Sequence, residues 1–516
     1  MDADTIYRRR WATLGVLSLS LVIIGLDNTI LNVALPTLVR ELDATASQLQ
    51  WMVDAYVLVF AGLLLTMGAL GDRFGRKLAL NVGLVIFGVA SVAAAFAGSA
   101  EALIAARAFM GVGGALIMPS TLSIITNVFS GPERGRAIAA WAAVAGLGII
   151  LGPVLGGWLL EQYWWGSIFL INVFVVVAAI VAGLFLVPES KDPEATPLDP
   201  VGAALSIGGL VALVYAIIEA PSRGWTDGVI LAAFAVAAVL IGVFLWWENR
   251  VTHPMLRLEF FENPRFSAAS VAITLVFFAM FGTVFLLTQY LQFVLGYTPL
   301  EAGFRVMPVA TMIVAAPLSA RLTERFGTKR VVAAGLVVVA TAMSILALID
   351  VESGYPHVAL ALVFLGAGMG TAMAPATDSI MGSLPLAKSG VGSAMNDTTR
   401  QVGGALGVAI LGSILASNYS SAMTPAVAAL PPQAGEIASD SIGGAVAVAS
   451  QIGEAGAALF QVASEAFIDG MTSAVWVAAG VALVGAVVTW LYLPARPLPA
   501  TTGQYADAAG PRGEGT

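Results

Sequence analysis

Four aspartates stand where apolar sequence surrounds them: Asp27, Asp54, Asp378 and Asp397. Asp27 lies in LDNTILNVALP (Leu26 to Pro36), deep within an apolar run from Trp11 to Leu35. A carboxylate at such depth in a bilayer costs roughly 2.5–3.5 kcal/mol on insertion scales, so it ordinarily faces a bundle interior or a water-filled path. Arg107, in LIAARAFMGVGGA (Leu103 to Ala115), is an equally misplaced charge of opposite sign. A buried arginine needs an anion. Asp397 and Arg400 stand three apart in NDTTRQVGGALG, on one helix face, where they can neutralise each other. Asp378, in PATDSIMG, has no basic neighbour along the chain and is the freer candidate for a proton or a cation. Asp54 lies in WMVDAY (Trp51 to Tyr56), near the outer third of its helix; it either draws cations to an outer mouth or is merely interfacial. Buried carboxylates of this kind suit the movement of protons or cations. The alternative is a neutral acid hydrogen-bonded to a neighbouring helix.

The rest of the chain is built to hold such groups in a membrane. Apolar residues make up 58% of the 516 residues and charged residues only 11%, against about 25% in a soluble domain. With a mean hydropathy of +0.89, this is the composition of an all-α polytopic membrane protein. The absence of cysteine excludes disulfides, thiolate catalysis and Cys-based metal sites, and His253 and His357 are too far apart in sequence to suggest a metal centre. Arg8, Arg9 and Arg10 precede the first apolar run as in a signal peptide, but the run is too long for one and holds Asp27. It reads as the first spanning helix.

Stretches of about 20 apolar residues predict fourteen spans: 12–35, 51–71, 78–98, 101–126, 136–160, 166–187, 201–219, 228–247, 265–294, 301–321, 330–349, 357–382, 390–416 and 470–493. The segment 417–469 is expected to be a long outer loop carrying at most a surface helix. Nineteen of the 24 Lys and Arg residues fall on the side that holds the N-terminus, which predicts both termini in the cytoplasm. Polar, Pro-rich linkers at 188–200 and 248–264 divide the chain: an N-terminal six-helix bundle over 1–187, linkers and an inserted pair over 188–264, a C-terminal six-helix bundle over 265–493, and a cytoplasmic tail over 494–516. The halves echo each other. GALGDRFGRK (Gly68 to Lys77) and SARLTERFGTKR (Ser319 to Arg330) occupy matching places, as internal repeats of secondary transporters do.

Several motifs in sequence order carry a specific resemblance. GALGDRFGRK follows G-x-L-(A/G)-D-R-x-G-R-K; LDNTILNVALP and GIILGPVLGG (Gly148 to Gly157) match first-helix and fifth-helix motifs. The chain resembles the major facilitator superfamily, and within it the fourteen-helix drug:proton antiporter group. The resemblance covers nearly the whole chain and implies a 6 + 2 + 6 helix arrangement with pseudo-symmetric halves. It further implies a bacterial plasma membrane location and export of amphipathic, above all cationic, drugs in exchange for protons. Its partners would be a small-molecule substrate, protons and the bilayer, with no cofactor beyond the proton gradient.

Site residues follow from the same resemblance. Asp27, Arg107, Asp378 and Asp397 are the expected proton-coupling groups, and Asp27 is the natural partner of Arg107. WMVDAY looks like the second helix of exporters of cationic drugs, which puts Trp51, Asp54 and Tyr56 with Asp27 at the substrate. Gly68, Asp72, Arg73, Gly75 and Arg76 form an inner latch, with Arg134 or Arg136 as plausible partners of Asp72; otherwise they are a topogenic cluster. Gly148, Gly152, Pro153, Gly156 and Gly157 would seal the outer half of the pore, or simply pack helices closely. Phe277, Phe281, Phe285 and Gln289 recur every four residues and form either an aromatic wall for flat cations or ordinary packing.

Other functions find little support. A metabolite exporter (siderophore, amino acid or lipid intermediate) stays open through Arg107 and Arg400. An enzyme lacks any clustered nucleophile, base or aqueous domain, and a nucleotide-driven pump lacks a G-x-x-x-x-G-K-[ST] loop. No feature suggests nucleic-acid binding.

Overall fold

The computed structural model describes residues 3–129, 131–191, 199–254, 256–383 and 389–494. All regular structure among them is helical. The first half contains α1 (Ala3–Leu42), α2 (Ala46–Phe74), α3 (Arg76–Ala95), α4 (Ala100–Val128), α5 (Gly131–Gln162) and α6 (Ser167–Leu186). The inserted pair is α7 (Pro200–Arg223) and α8 (Gly228–Glu248). The second half opens with α9 (Pro264–Gln289), α10 (Pro299–Val306), α11 (Thr311–Phe326), α12 (Thr328–Leu346), α13 (Tyr355–Gly382) and α14 (Ser389–Val427). Two short helices, α15 (Pro432–Asp440) and α16 (Ile442–Ala449), lead to the last long one, α17 (Glu454–Tyr492). Among the described residues, thirteen helical stretches are long and apolar enough to cross a membrane, α10 and α11 counting as one; α5, of 32 residues, is not among the thirteen. The expected tail over 494–516 lies outside the described residues apart from Pro494.

Local chemistry sets the helix ends. Thr45 with Gln48, and Thr298 with Glu301, form reciprocal capping boxes that satisfy orphan N–H groups. Asn263 caps α9 with Pro264 at the first helical position. Gly75 separates α2 from α3 at φ +127°, and Gly327 separates α11 from α12 at φ +84°, in the left-handed region that glycine tolerates. These are the glycines aligned in the two repeat motifs.

The repeat extends to packing. In the first half α1 packs on α5, α2 on α4, and α3 on both α4 and α6. In the second, α9 packs on α14, α11 on α13, and α12 on both α13 and α17. A close backbone approach is shared as well. A Cβ added at Gly113 would sit 2.8 Å from the Gly83 carbonyl, and one at Gly368 would sit 2.8 Å from that of Gly335. Backbones meet there because neither residue has a side chain.

One expectation is corrected and another refined. The outer loop is not 417–469: α14 continues to Val427 and α17 begins at Glu454, leaving only 428–453 between them. Alanine is frequent over 454–469 and strongly helix-forming, so α17 starts ahead of its apolar stretch, while α14 runs on through the polar 417–427. The span over 301–321 is present within Pro299–Phe326, but it is interrupted. A 3-10 turn at Met307–Ala310, with Pro308 removing a donor, separates α10 from α11.

The halves meet at the end predicted to be outer. Gly157 abuts Pro299 and Leu300, and Gly303 abuts the Pro153 carbonyl. Gln292 donates to Val33 O (2.8 Å), and Gln50 lies against Gly412 and Ser413. At the inner end the described ion pairs stay within one half: Arg10 with Glu133 at 2.9 Å, Arg76 with Asp72 at 2.7 Å, and Arg265 with Asp378 at 3.8 Å. The molecule is therefore joined at its outer end, and its described inner ion pairs do not tie the halves together.

Candidate functional site

The first half holds a sealed polar cluster. α1 presents Asp27 and α4 presents Arg107, and the two side chains form an ion pair with residue exposures of 0% and 1%. The guanidinium also donates through Nε to Met52 O of α2 (3.0 Å) and lies 4.4 Å from the centroid of the Tyr56 ring. Tyr56 stacks on Phe60 at 5.7 Å. Asn172, from α6, donates through Nδ2 to the other carboxylate oxygen of Asp27 (3.4 Å). Four helices thus converge on one buried ion pair. Breaking such a pair by removing one partner costs about 3–5 kcal/mol, because the other charge is stranded.

Asp54, also wholly buried, has no hydrogen-bond partner for either carboxylate oxygen. It lies one turn from Gln50, a residue of α2 that touches α14. It does not reach the surface of the molecule. Trp51 turns to the inserted pair: its Nε1 donates to Glu219 Oε1 of α7 (3.3 Å), and its ring lies 6.4 Å from Tyr215. Tyr56 is committed to Arg107. Of the three α2 residues expected at the substrate, Tyr56 is held beside Arg107 and Trp51 beside α7, on different faces of α2.

The second half holds a looser cluster. Asp397 and Arg400 of α14 are 3.6 Å apart, and the Arg400 side chain is 28% exposed. Its guanidinium reaches Thr377 Oγ1 of α13 (3.4 Å) and lies 5.6 Å from the Phe277 ring, while its Nε has no partner. Phe277 and Phe281 stack at 5.9 Å, so the aromatic stripe of α9 begins at this cluster. Phe285 and Gln289, at its other end, line a separate outer cavity. Asp378 corrects expectation. Its side chain is 79% exposed near the inner end of α13 and has Arg265 as a partner, brought from α9 by tertiary folding.

The two clusters sit at different depths. Arg107 is seven residues into α4 from the outer end, about 10 Å at 1.5 Å per residue. Asp397 is eight residues into α14 from the inner end, about 12 Å. Among the described residues no hydrogen bond joins the clusters.

The gating motifs are placed as follows. Asp72 pairs with Arg76 inside its own motif, Gly68 packs on Pro119, and Arg73 lies over Phe74. The side chains of Arg134 and Arg136 are outside the described residues. The linker docks on the Gly75 turn, Arg76 N donating to Ser190 O (2.8 Å). The fifth-helix glycines run along α1: added Cβ atoms would meet Gly25 from Gly148, Thr29 from Gly152 and Ile30 from Gly156. Gly157 and Pro153 face α10 across the outer seam. Asn172 and Glu219 escaped the sequence reading, although both interrupt apolar helices in the way that singled out Asp27.

Two pseudo-symmetric helical bundles, sealed at one end and carrying buried charge between membrane-spanning helices, define a secondary-transporter fold. Comparison agrees. A bacterial homologue of the human lysosomal transporter Spinster, inward-facing and unoccupied, superposes with a TM-score of 0.67 at 18% identity over 95% of this chain and 99% of that one. Residues 17–408 match the Major Facilitator Superfamily, and the chain belongs to it. The multidrug efflux pump LfrA of Mycolicibacterium smegmatis is 39% identical over 93% of this chain and 95% of its own. The methyl viologen resistance protein SmvA of Salmonella typhimurium is 33% identical over 94% and 98%. These relatives agree with the drug:proton antiporter group that the motifs resemble. The chain is a multi-pass protein of the bacterial inner membrane.

Proposed function

We propose that this chain exports amphipathic, cationic compounds across the inner membrane in exchange for protons, by alternating access of fourteen spans with both termini cytoplasmic. The observation that carries the reading is the sealed Asp27–Arg107 pair behind a closed outer end. In this arrangement a substrate enters from the inner side, where the described ion pairs do not tie the halves together, towards the partly exposed Arg400 and the Phe277–Phe281 stack. A proton arriving at Asp27 cancels the charge that holds Arg107, and Arg107 in turn grips α2 through Met52 O and Tyr56. Proton binding is thereby felt by α1, α2 and α4 at once. An anionic Asp54 with no partner would cost several kcal/mol, so its charge is balanced by a proton or a substrate cation during the cycle. No cofactor is needed, since the proton gradient supplies the drive. The names of LfrA, a multidrug efflux pump, and SmvA, a methyl viologen resistance protein, support this substrate class.

The test is efflux of ethidium and methyl viologen from cells and inverted vesicles, with and without a proton uncoupler. Uncoupler-sensitive efflux that Asp54→Asn reduces supports the reading; gradient-independent flux contradicts it. Arg400, partly open and with an unpartnered Nε, favours a second reading in which an anionic metabolite is exported. Efflux of neither cation, with transport recovered in a screen of acidic metabolites, would select it.

A further inference from the structure

The short helices α15 and α16 lie across the seam between the halves. They are fixed to the second half, Tyr419 of α14 donating to Ala438 O (3.0 Å). They touch the first half in two places. Ala46 N, at the start of α2, donates to Asp440 Oδ2 (3.0 Å). Gly443 packs against Val39 of α1, where an added Cβ would meet Val39 Cγ1 at 2.6 Å. The segment 428–453 is therefore a strap seated on α1 and α2, with the Asp440 carboxylate and the Gly443–Val39 contact among its attachments.

Behind the strap is a cavity lined by Gln50, Phe285, Gln289, Tyr419, Asp440 and Phe467, among others. It combines one carboxylate, two amides and three aromatic rings, a set suited to an organic cation. It also lies at one end of the aromatic stripe of α9. The stripe Phe277, Phe281, Phe285, Gln289 starts beside Arg400 and ends in this cavity, twelve residues or about 18 Å further along α9. Burial pushes the Asp440 carboxyl above its ordinary range, the Ala46 hydrogen bond opposes that, and Glu436 adds to it. The carboxylate is underserved by its single N–H and has capacity for a cation.

We propose that this cavity is the exit subsite for an organic cation, and that the arriving cation opens the outer seal by drawing the Asp440 carboxylate away from Ala46. The inference rests on the export of cations proposed above. It adds the place and the trigger of release.

The chain has no cysteine, so a single Ala416→Cys in the cavity lining reports outer opening through reaction with a membrane-impermeant maleimide. In proteoliposomes of the full chain, methyl viologen supplied from the inner side should raise the labelling rate about fivefold or more, the size of an ordinary coupling between sites. Adding Asp440→Asn keeps a hydrogen-bond acceptor for Ala46 but removes the charge; basal labelling should stay slow and the stimulation vanish. Adding Asp440→Ala removes the bolt, and labelling should be fast with or without methyl viologen. Stimulation that survives Asp440→Asn overturns the inference, as does transport of methyl viologen with no change in labelling of the parent. If the parent moves neither methyl viologen nor ethidium, the export reading fails and this inference falls with it.

Discussion

The two halves share a scaffold and differ in what they do with charge. In the first, Asp27 and Arg107 are sealed from solvent and tied to α2 and α6, about 10 Å from the outer end. In the second, Asp397 and Arg400 are further apart, Arg400 is partly open, and the cluster lies about 12 Å from the inner end. The helix pairs and the glycine contacts repeat from one half to the other, so the difference is not architectural. It lies in a few polar side chains. A duplicated framework supplies two surfaces that can rock, and the asymmetry in charge separates their roles. On the function proposed above, the first half would hold the proton and the second would meet the substrate.

The comparison is broken most forcefully by removing each arginine. Arg107→Ala should cost about 3–5 kcal/mol, since Asp27 is left charged and unpaired in the interior. Arg400→Ala should cost less, about 1–3 kcal/mol, since Asp397 is buried but its pair is long and Arg400 is partly open. Thermal unfolding of the purified variants in one detergent checks both, and equal losses would refute the division of labour. The shared framework is tested by Gly113→Ala and Gly368→Ala. Each drives a Cβ to 2.8 Å from a facing carbonyl, so each should destabilise by a similar amount, about 1–3 kcal/mol. A large loss in one half alone would mean that the packing symmetry is only nominal. Asn172→Ala deletes a 3.4 Å hydrogen bond to Asp27 and should cost about 1 kcal/mol, with the pH profile of efflux displaced while maximal efflux stays within reach of the parent. Smallest of all is Asp378→Asn. An exposed acid with a 3.8 Å partner should leave the melting temperature unchanged and efflux nearly so.

Much of this is legible in the sequence. Length and apolarity locate the spanning helices, because a bilayer permits few other ways to satisfy a backbone. The pairing of Arg107 with Asp27 is expected, since each is too costly alone and the family resemblance makes Asp27 the natural partner. What escapes depends on azimuth and on neighbours distant in the chain. Asp378 reads as a membrane acid because it follows an apolar run, yet it stands on an exposed face of α13 beside the buried Ser379 and Ile380, and Arg265 reaches it from 113 residues away. Trp51, Asp54 and Tyr56 are close in sequence and point to three environments, since successive helical residues turn by about 100°. The strap is illegible. Asp440 meets Ala46 across 394 residues, and no local pattern announces a helix start waiting for a carboxylate.

The most direct test of the central claim is proton release on drug binding. Purified protein in weak buffer is mixed with methyl viologen, and the pH change is read with a soluble indicator, for the parent and for Asp27→Asn shown to bind the drug. Release by the parent and none by Asp27→Asn is the expected result. Release of the same size from both would contradict the account, because the proton would then be carried elsewhere.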